Sequence, residues 1–230
     1  MSGNTFAHPL KAPDLIFDLD GTLIDSAPSI LACMKDTVLA AGLGPTHPLD
    51  ARLIGPPLMT TLARITGLAD AEALSSLAAA FKARYDDEGL RSTRPCPGIP
   101  EVLRQLHEHG TRLHLATNKR MRPTCAILDL LDWNRWFTSV YTLDRASPGY
   151  ADKSAMLGHL LRENGITSAN AAYVGDTRED GLAAASNGLH FIAADWGYGD
   201  FDDWLGVGSW SLAPTPAALL DALPGTGDAR

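Results

Sequence analysis

Cysteine is scarce in this chain, with only Cys33, Cys96 and Cys125 among 230 residues. Their number is odd, they lie far apart and no CxxC pair occurs, so neither a disulfide framework nor the common structural zinc patterns fit. They read as reduced thiols acting as small apolar fillers. Long apolar runs are missing too. No stretch approaches the roughly 20 residues that cross a bilayer, and the first dozen residues lack an apolar signal region, so a cytoplasmic protein without membrane contact is expected. Runs of Lys or Arg are absent, and the net charge is −8. Nucleic acid and anionic membrane surfaces are therefore poor partners by long-range attraction. A local charge or a metal can still hold an anionic substrate. Internal repeats and low-complexity tracts are also absent.

What is present is an ordinary globular composition, 45% hydrophobic, sufficient for one large domain or a domain with an insertion. Leu15-Ile16-Phe17 reads as a buried strand beginning near Asp14. Ser26-Ala27-Pro28 places a cap and a proline before Ile30, Leu31, Met34, Val38 and Leu39, a helical spacing closed by Gly42 and Gly44. Further helical patterns cover 58–65 and 71–85, so residues 26–91 read as all-helical. After Arg94-Pro95-Cys96-Pro97-Gly98 the pattern alternates. Helices are expected near 102–110, 122–131, 153–164 and 179–186, with strands at 112–116, 139–142, 171–174 and 190–194. A last strand about Trp210 and Leu212 and a last helix over 214–223 complete it. Such alternation predicts an α/β fold, a Rossmann-like parallel sheet with helices on both faces. The expected core is 12–25 with 92–223, interrupted after its first strand by a helical domain of 26–91, with loose termini at 1–11 and 224–230.

Polar residues gather where these strands end. Asp18 and Asp20 follow the first strand and would face the same way in extended chain, where two carboxylates repel unless a cation or proton lies between them. Asp20-Gly21 between apolar residues is also a hairpin signal. Thr117 and Asn118 follow a second strand, Asp176 a third, and Asp180 comes one helical turn later. Ligands of open α/β sheets bind outside the carboxyl ends of the strands, so these residues should converge. Four aspartates in one crevice call for a hard divalent cation with oxygen ligands, such as Mg²⁺. Individually, Thr117-Asn118 and Gly175-Asp176-Thr177 also fit as helix caps. Lys153 stands in the first turn of its helix, where the dipole disfavours a cation, which points to an anion nearby; Asp152 offers a local partner instead.

Taken in order, Asp18-Leu19-Asp20-Gly21-Thr22, Thr117-Asn118, Lys153 and Gly175-Asp176-Thr177-Arg178-Glu179-Asp180 resemble the four-motif series of the haloacid dehalogenase superfamily. The helical insertion resembles the small cap of its phosphoglycolate phosphatase-like subgroup, and Asp195-Trp196-Gly197-Tyr198-Gly199 is similar to a late loop of that subgroup. The resemblance implies a Mg²⁺-dependent phosphatase acting on a small phosphorylated metabolite through an aspartyl-phosphate. Asp18 would be the nucleophile and Asp20 the acid and then the base. Thr117 and Asn118, with Gly21 and Thr22, would contact the phosphoryl group, and Lys153 would neutralise charge. Mg²⁺ would be held by the Asp18 carboxylate, the Asp20 carbonyl and Asp176, with support from Asp180. In the cap, Arg52 precedes the rigid Gly55-Pro56-Pro57 segment and is the candidate for binding a second anion of the substrate, with pairing to Asp50 as the alternative. An aspartate at position 20 disfavours the dehalogenases and the phosphonate-cleaving relatives. A β-phosphoglucomutase-like sugar phosphomutase keeps the same motifs and is the alternative enzyme. A non-catalytic binding protein of this fold would have no need to keep Asp18, Asp20, Lys153 and Asp176 together. Lys153 lies in Ala151-Asp152-Lys153-Ser154 rather than the Lys-Pro context common in the subgroup. A monomer or homodimer is expected.

Overall fold

The computed structural model describes residues 14–200 and 208–222, so the expected loose termini 1–11 and 224–230 lie outside the described residues. Strand β1 (Asp14–Phe17) is buried throughout, as four residues with no free face require. The chain then passes through β2 (Ile24–Asp25) into helices α1 (Ala27–Ala40), α2 (Leu58–Thr66) and α3 (Ala71–Asp87), and returns through β3 (Arg94–Pro95), which pairs with β2. There follow α4 (Ile99–Glu108), β4 (Arg112–Thr117), α5 (Met121–Leu130), β5 (Phe137–Thr142), α6 (Lys153–Glu163), β6 (Ala171–Gly175), α7 (Arg178–Ser186), β7 (His190–Ala194) and β8 (Trp210–Ala213). Among the described residues the long strands form one parallel sheet in the order β5-β4-β1-β6-β7-β8.

Register explains how the sheet is buried. Ile16 lies beside Tyr173, which lies beside Phe191. This row packs with Met156, Leu157 and Leu160 of α6 and with Ala183 and Ala184 of α7. Residues of the other parity, including Leu15, Phe17, Leu113, Leu115, Val174 and Ile192, are buried as well, so both faces are covered. Each such Leu, Ile or Phe contributes about 1.5–3 kcal/mol by leaving water. The row also holds polar groups. His114, next to Ile16, bonds through its ring nitrogens to Ser139 Oγ (2.8 Å) and Asp14 Oδ1 (3.0 Å), and Arg112 donates to Asp14 Oδ2 (2.7 Å).

Contacts divide the chain into two compact units, one reaching Ile24 and resuming at Pro95, the other running from Asp25 to Arg94. The second is all-helical apart from its ends in β2 and β3. Its helices bury Val38, Leu62, Ile65, Leu77, Phe81 and Tyr85, the last two rings stacked at 5.7 Å. Asp70 caps α3 by accepting from Ala73 N–H (2.7 Å). Ser26 occupies the corresponding position of α1, but its side chain makes no capping bond, and Pro28 opens that helix instead. The expected last α-helix is a short 3₁₀ helix over Pro216–Ala222, which begins on a proline and packs against α4. Among the described residues no helix is long and apolar enough to cross a membrane.

The chain visits β1, β4 and β5 on one side and then crosses to β6, β7 and β8. The order therefore reverses between β1 and β6, the place where α/β sheets open a crevice at their carboxyl ends.

Candidate active site

Asp18 continues β1 by one residue, its N–H bonding Val174 O (2.9 Å), and its side chain is buried. The chain then turns sharply. Leu23 N–H bonds Leu19 O (2.9 Å), Gly21 N–H bonds Ile24 O (2.9 Å), and Gly21 takes φ +84°, a region that side-chain-bearing residues avoid. The Asp-Gly turn and the aspartate pair are thus one feature. The turn aims Thr22 Oγ1 at Asp176 Oδ1 (3.2 Å), across from the end of β6.

Beyond β6, Thr177 and Asp180 form a reciprocal capping box on α7. Thr177 N–H and Oγ1–H both donate to Asp180 Oδ2 (3.0 and 2.6 Å). The other oxygen, Oδ1, accepts from Lys153 Nζ (2.5 Å) and lies 3.0 Å from the Tyr173 hydroxyl, which also reaches Ala116 O (2.9 Å). Lys153 Nζ donates to Asp18 Oδ1 as well (3.0 Å). Asp152 does not compete for it; its carboxylate caps α6 at Ala155 N–H (2.7 Å). A buried lysine against the helix dipole is thus matched by two buried carboxylates.

Asp18, Asp176 and Asp180 each offer a carboxylate oxygen within 4.8 Å of the others. Asp176 accepts from Tyr198 N–H (2.7 Å) in the late loop as well as from Thr22. That loop is held to the first turn by Trp196 Nε1, which donates to Thr22 O (2.8 Å). Gly197 and Gly199 approach Asp176 so closely that a Cβ on either would collide with it. Burial pushes the Asp18 carboxyl up to about 7; Lys153 opposes the rise, while Asp180 and Asp20 add to it. Asp176 is pushed up to about 8 by burial and by the charges of Asp180 and Asp18. Burial alone would depress Lys153, but Asp18 and Asp180 outweigh it and hold the ammonium well above its ordinary range.

Asp20 is placed differently. Its carboxylate lies outside the close cluster and accepts from Lys119 Nζ through both oxygens (2.9 and 3.1 Å). Thr117 is buried at the end of β4, and its Oγ1 accepts from Lys119 N–H (3.2 Å). Asn118 donates to Glu179 Oε1 (3.0 Å), while its own Oδ1 is buried without a hydrogen-bond partner. Arg52 lies in the helical unit, 83% exposed, with its guanidinium on Asp50 (Nη2 to Oδ2 2.6 Å, Nε to Oδ1 3.2 Å). Sequence reasoning missed Lys119 and Tyr173. Lys119 follows Thr117-Asn118 directly, before any helical pattern resumes, a position that could have marked it. Tyr173 carries no such signal, because it fits a buried strand by its ring alone.

Asp18, Asp20, Asp176 and Asp180 outnumber Lys119 and Lys153 by two charges. An all-oxygen donor set with an excess of two negative charges suits a hard divalent cation. Burial first, and then the neighbouring carboxylates, raise Asp18 and Asp176, so both gain from a nearby positive charge beyond that of Lys153.

Comparison with known proteins agrees with this arrangement. The chain is 31% identical over 197 residues, 84% of its length and 87% of the relative's, to a 5'-nucleotidase of Pseudomonas aeruginosa. It is 31% identical over 207 residues, 86% of its length and 75% of the relative's, to a phosphoglycolate phosphatase of Pseudomonas fluorescens. Among solved structures, a haloacid dehalogenase-like family hydrolase of Streptococcus pneumoniae superposes with a TM-score of 0.79 at 25% identity, covering 91% of this chain and 97% of that one. The family profile described as haloacid dehalogenase-like hydrolase matches residues 15–194. That match runs from the first strand through β7 and takes in every strand end that carries a site residue, and the chain belongs to the haloacid dehalogenase-like hydrolase family.

Proposed function

We propose that this protein is a Mg²⁺-dependent phosphatase that hydrolyses a small phosphomonoester through an aspartyl-phosphate on Asp18. The observation that carries the reading is the buried group of Asp18, Asp176 and Asp180, with Lys153 bridging the first and last. The relatives named 5'-nucleotidase and phosphoglycolate phosphatase support a phosphomonoester as substrate. Residues 26–91 are read as the cap and 12–25 with 92–223 as the catalytic core.

In the first step an Asp18 oxygen attacks phosphorus. As the new P–O bond forms, the ester P–O bond breaks, its electron pair goes to the leaving oxygen, and that oxygen takes the proton carried by Asp20. In the second step a water oxygen attacks the same phosphorus while Asp20 takes the water's proton. The bond to Asp18 breaks, its carboxylate is restored and inorganic phosphate leaves. Thr117 and Asn118, with Gly21 and Thr22, orient the phosphoryl oxygens, and Lys153 offsets the charge shared between them and Asp18. Asp18, Asp176 and the Asp20 carbonyl would hold Mg²⁺, with Asp180 as support; when bound, the ion neutralises the aspartate cluster and draws charge from the phosphoryl oxygens.

The test is hydrolysis of p-nitrophenyl phosphate and a panel of small phosphorylated metabolites by metal-stripped protein. Mg²⁺ should restore turnover, excess EDTA should abolish it, and Ca²⁺, larger and less tied to octahedral geometry, should support it poorly. Full activity in excess chelator would remove the metal from the mechanism.

A further inference from the structure

Lys119 has no part in the steps above, yet its side chain is only 6% exposed and its ammonium spans both oxygens of Asp20. An ammonium is costly to bury unless a carboxylate offsets it, so the pair is built rather than incidental. The loop that carries Lys119 is pinned as well, because its N–H donates to Thr117 Oγ1 at the end of β4. Lys153 is committed to Asp18 and Asp180, and Asp176 is committed to Thr22 and Tyr198. Asp20 is therefore the one aspartate of the four that meets the second lysine.

We propose that Lys119 is the positioning residue for Asp20, holding its carboxylate apart from the Asp18–Asp176–Asp180 cluster and fixed in direction for proton exchange with the leaving-group oxygen. This rests on the reading of Asp20 as the leaving-group acid. Asp20 is two residues from Asp18, on a turn. Released from the ammonium, its side chain gains access to other rotamers, including those that face the cluster. A carboxylate drawn there would add a fourth negative charge to the cluster and be lost as a proton donor. Held on Lys119, one oxygen keeps accepting from the ammonium while the other carries the proton. The charge left on Asp20 after the proton departs then meets a cation that is already in place.

The test uses two esters. An alkyl phosphate such as glycerol phosphate needs its leaving oxygen protonated, whereas p-nitrophenolate leaves without help, so a defect in the acid falls on the alkyl ester. Lys119→Met should lower kcat/KM for the alkyl ester about tenfold or more beyond its loss on p-nitrophenyl phosphate. Lys119→Gln, whose amide can still donate one bond to Asp20, should show the same selectivity to a smaller degree, and it carries the test if the methionine variant does not fold. In an Asp20→Asn background, adding Lys119→Met should cause no further selective loss. Equal loss on both esters with a raised KM would make Lys119 a phosphate ligand and overturn the proposal. Selective loss that persists without Asp20 would overturn it as well. If Asp20→Asn itself treats both esters alike, Asp20 is not the acid, and the proposal falls together with the reading it rests on.

Discussion

Asp176 and Asp180 lie four residues apart in one buried pocket, yet their carboxylates are held in opposite ways. Asp180 has both oxygens saturated by donors, including an ammonium. Asn in its place would turn an amide N–H₂ toward either Lys153 or Thr177 N–H and leave Lys153 short of a buried partner. Among the described residues Asp176 accepts from a hydroxyl and one backbone N–H. An asparagine there can keep accepting from Tyr198 N–H while donating to the Thr22 hydroxyl, and it is neutral without needing the proton that burial favours on Asp176. In denaturant unfolding without divalent cation, Asp180→Asn should therefore lose about 3 kcal/mol or more. Asp176→Asn should be as stable as the parent or more so, while needing more Mg²⁺ for activity. Loss of similar size in both variants would contradict this account. At this scale the convergence was legible from position alone: Asp18, Thr117 and Asp176 stand where strands end and Lys153 opens a helix, and Lys153 meets Asp18 and Asp180 beside Asp176. The sequence was opaque where an apolar residue doubled as a polar one, as Tyr173 does. Arg52 shows a different limit: a rigid neighbouring segment marks a residue for attention but cannot tell whether its partner is a ligand or, as found here, Asp50.

Among the elements, the late loop from Asp195 to Gly199 has the most to do for its length. It supplies Tyr198 N–H to Asp176 and ties Trp196 to the first turn, and its glycines leave room for the Asp176 backbone and side chain. Gly199→Ala would drive a methyl into the Asp176 carbonyl, so the loop or the aspartate must move. Overpacking of this kind costs about 1–3 kcal/mol, and because the displaced residue is a proposed metal ligand, the Mg²⁺ concentration for half-maximal activity should rise about tenfold or more. An unchanged requirement, measured by titrating Mg²⁺ into stripped variant and parent, would show that the loop does not set the position of Asp176. The alternation of strands and helices was readable because apolar periodicity and glycine stops report it directly, as from β4 to β7. The final segment misled for a physical reason: Ala217, Leu219 and Leu220 suit any helix, and over seven residues apolar spacing does not separate the α from the 3₁₀ form.

For the molecule as a whole, the same carboxylates couple stability to pH and to metal. The Asp18 and Asp176 pKa values are raised from 3.8 to about 7 and about 8, so the metal-free folded protein retains protons that the unfolded chain releases. That contribution to stability is complete below the unfolded value and is lost as pH rises through about 7 to 8. Mg²⁺ competes with those protons. The gain in Tm on adding Mg²⁺ should thus be larger at about pH 8.5 than at about pH 5, by a few degrees per kcal/mol of binding for a chain of this size. Equal gains at both values would mean that these carboxylates are not where the ion binds. The sheet order made such a cluster possible, since the reversal between β1 and β6 puts Asp18 and Asp176 at one crevice from positions 158 residues apart, a distance no local pattern could bridge. The central claim is that phosphorus passes through Asp18. The most direct measurement is a single-turnover reaction with a phosphomonoester and Mg²⁺, quenched in acid within the first turnover and analysed by peptide mass. The account predicts a phosphoryl group on the peptide bearing Asp18, absent in folded Asp18→Asn; turnover by that variant at the parent rate, or a phosphoryl group on another residue, would contradict it.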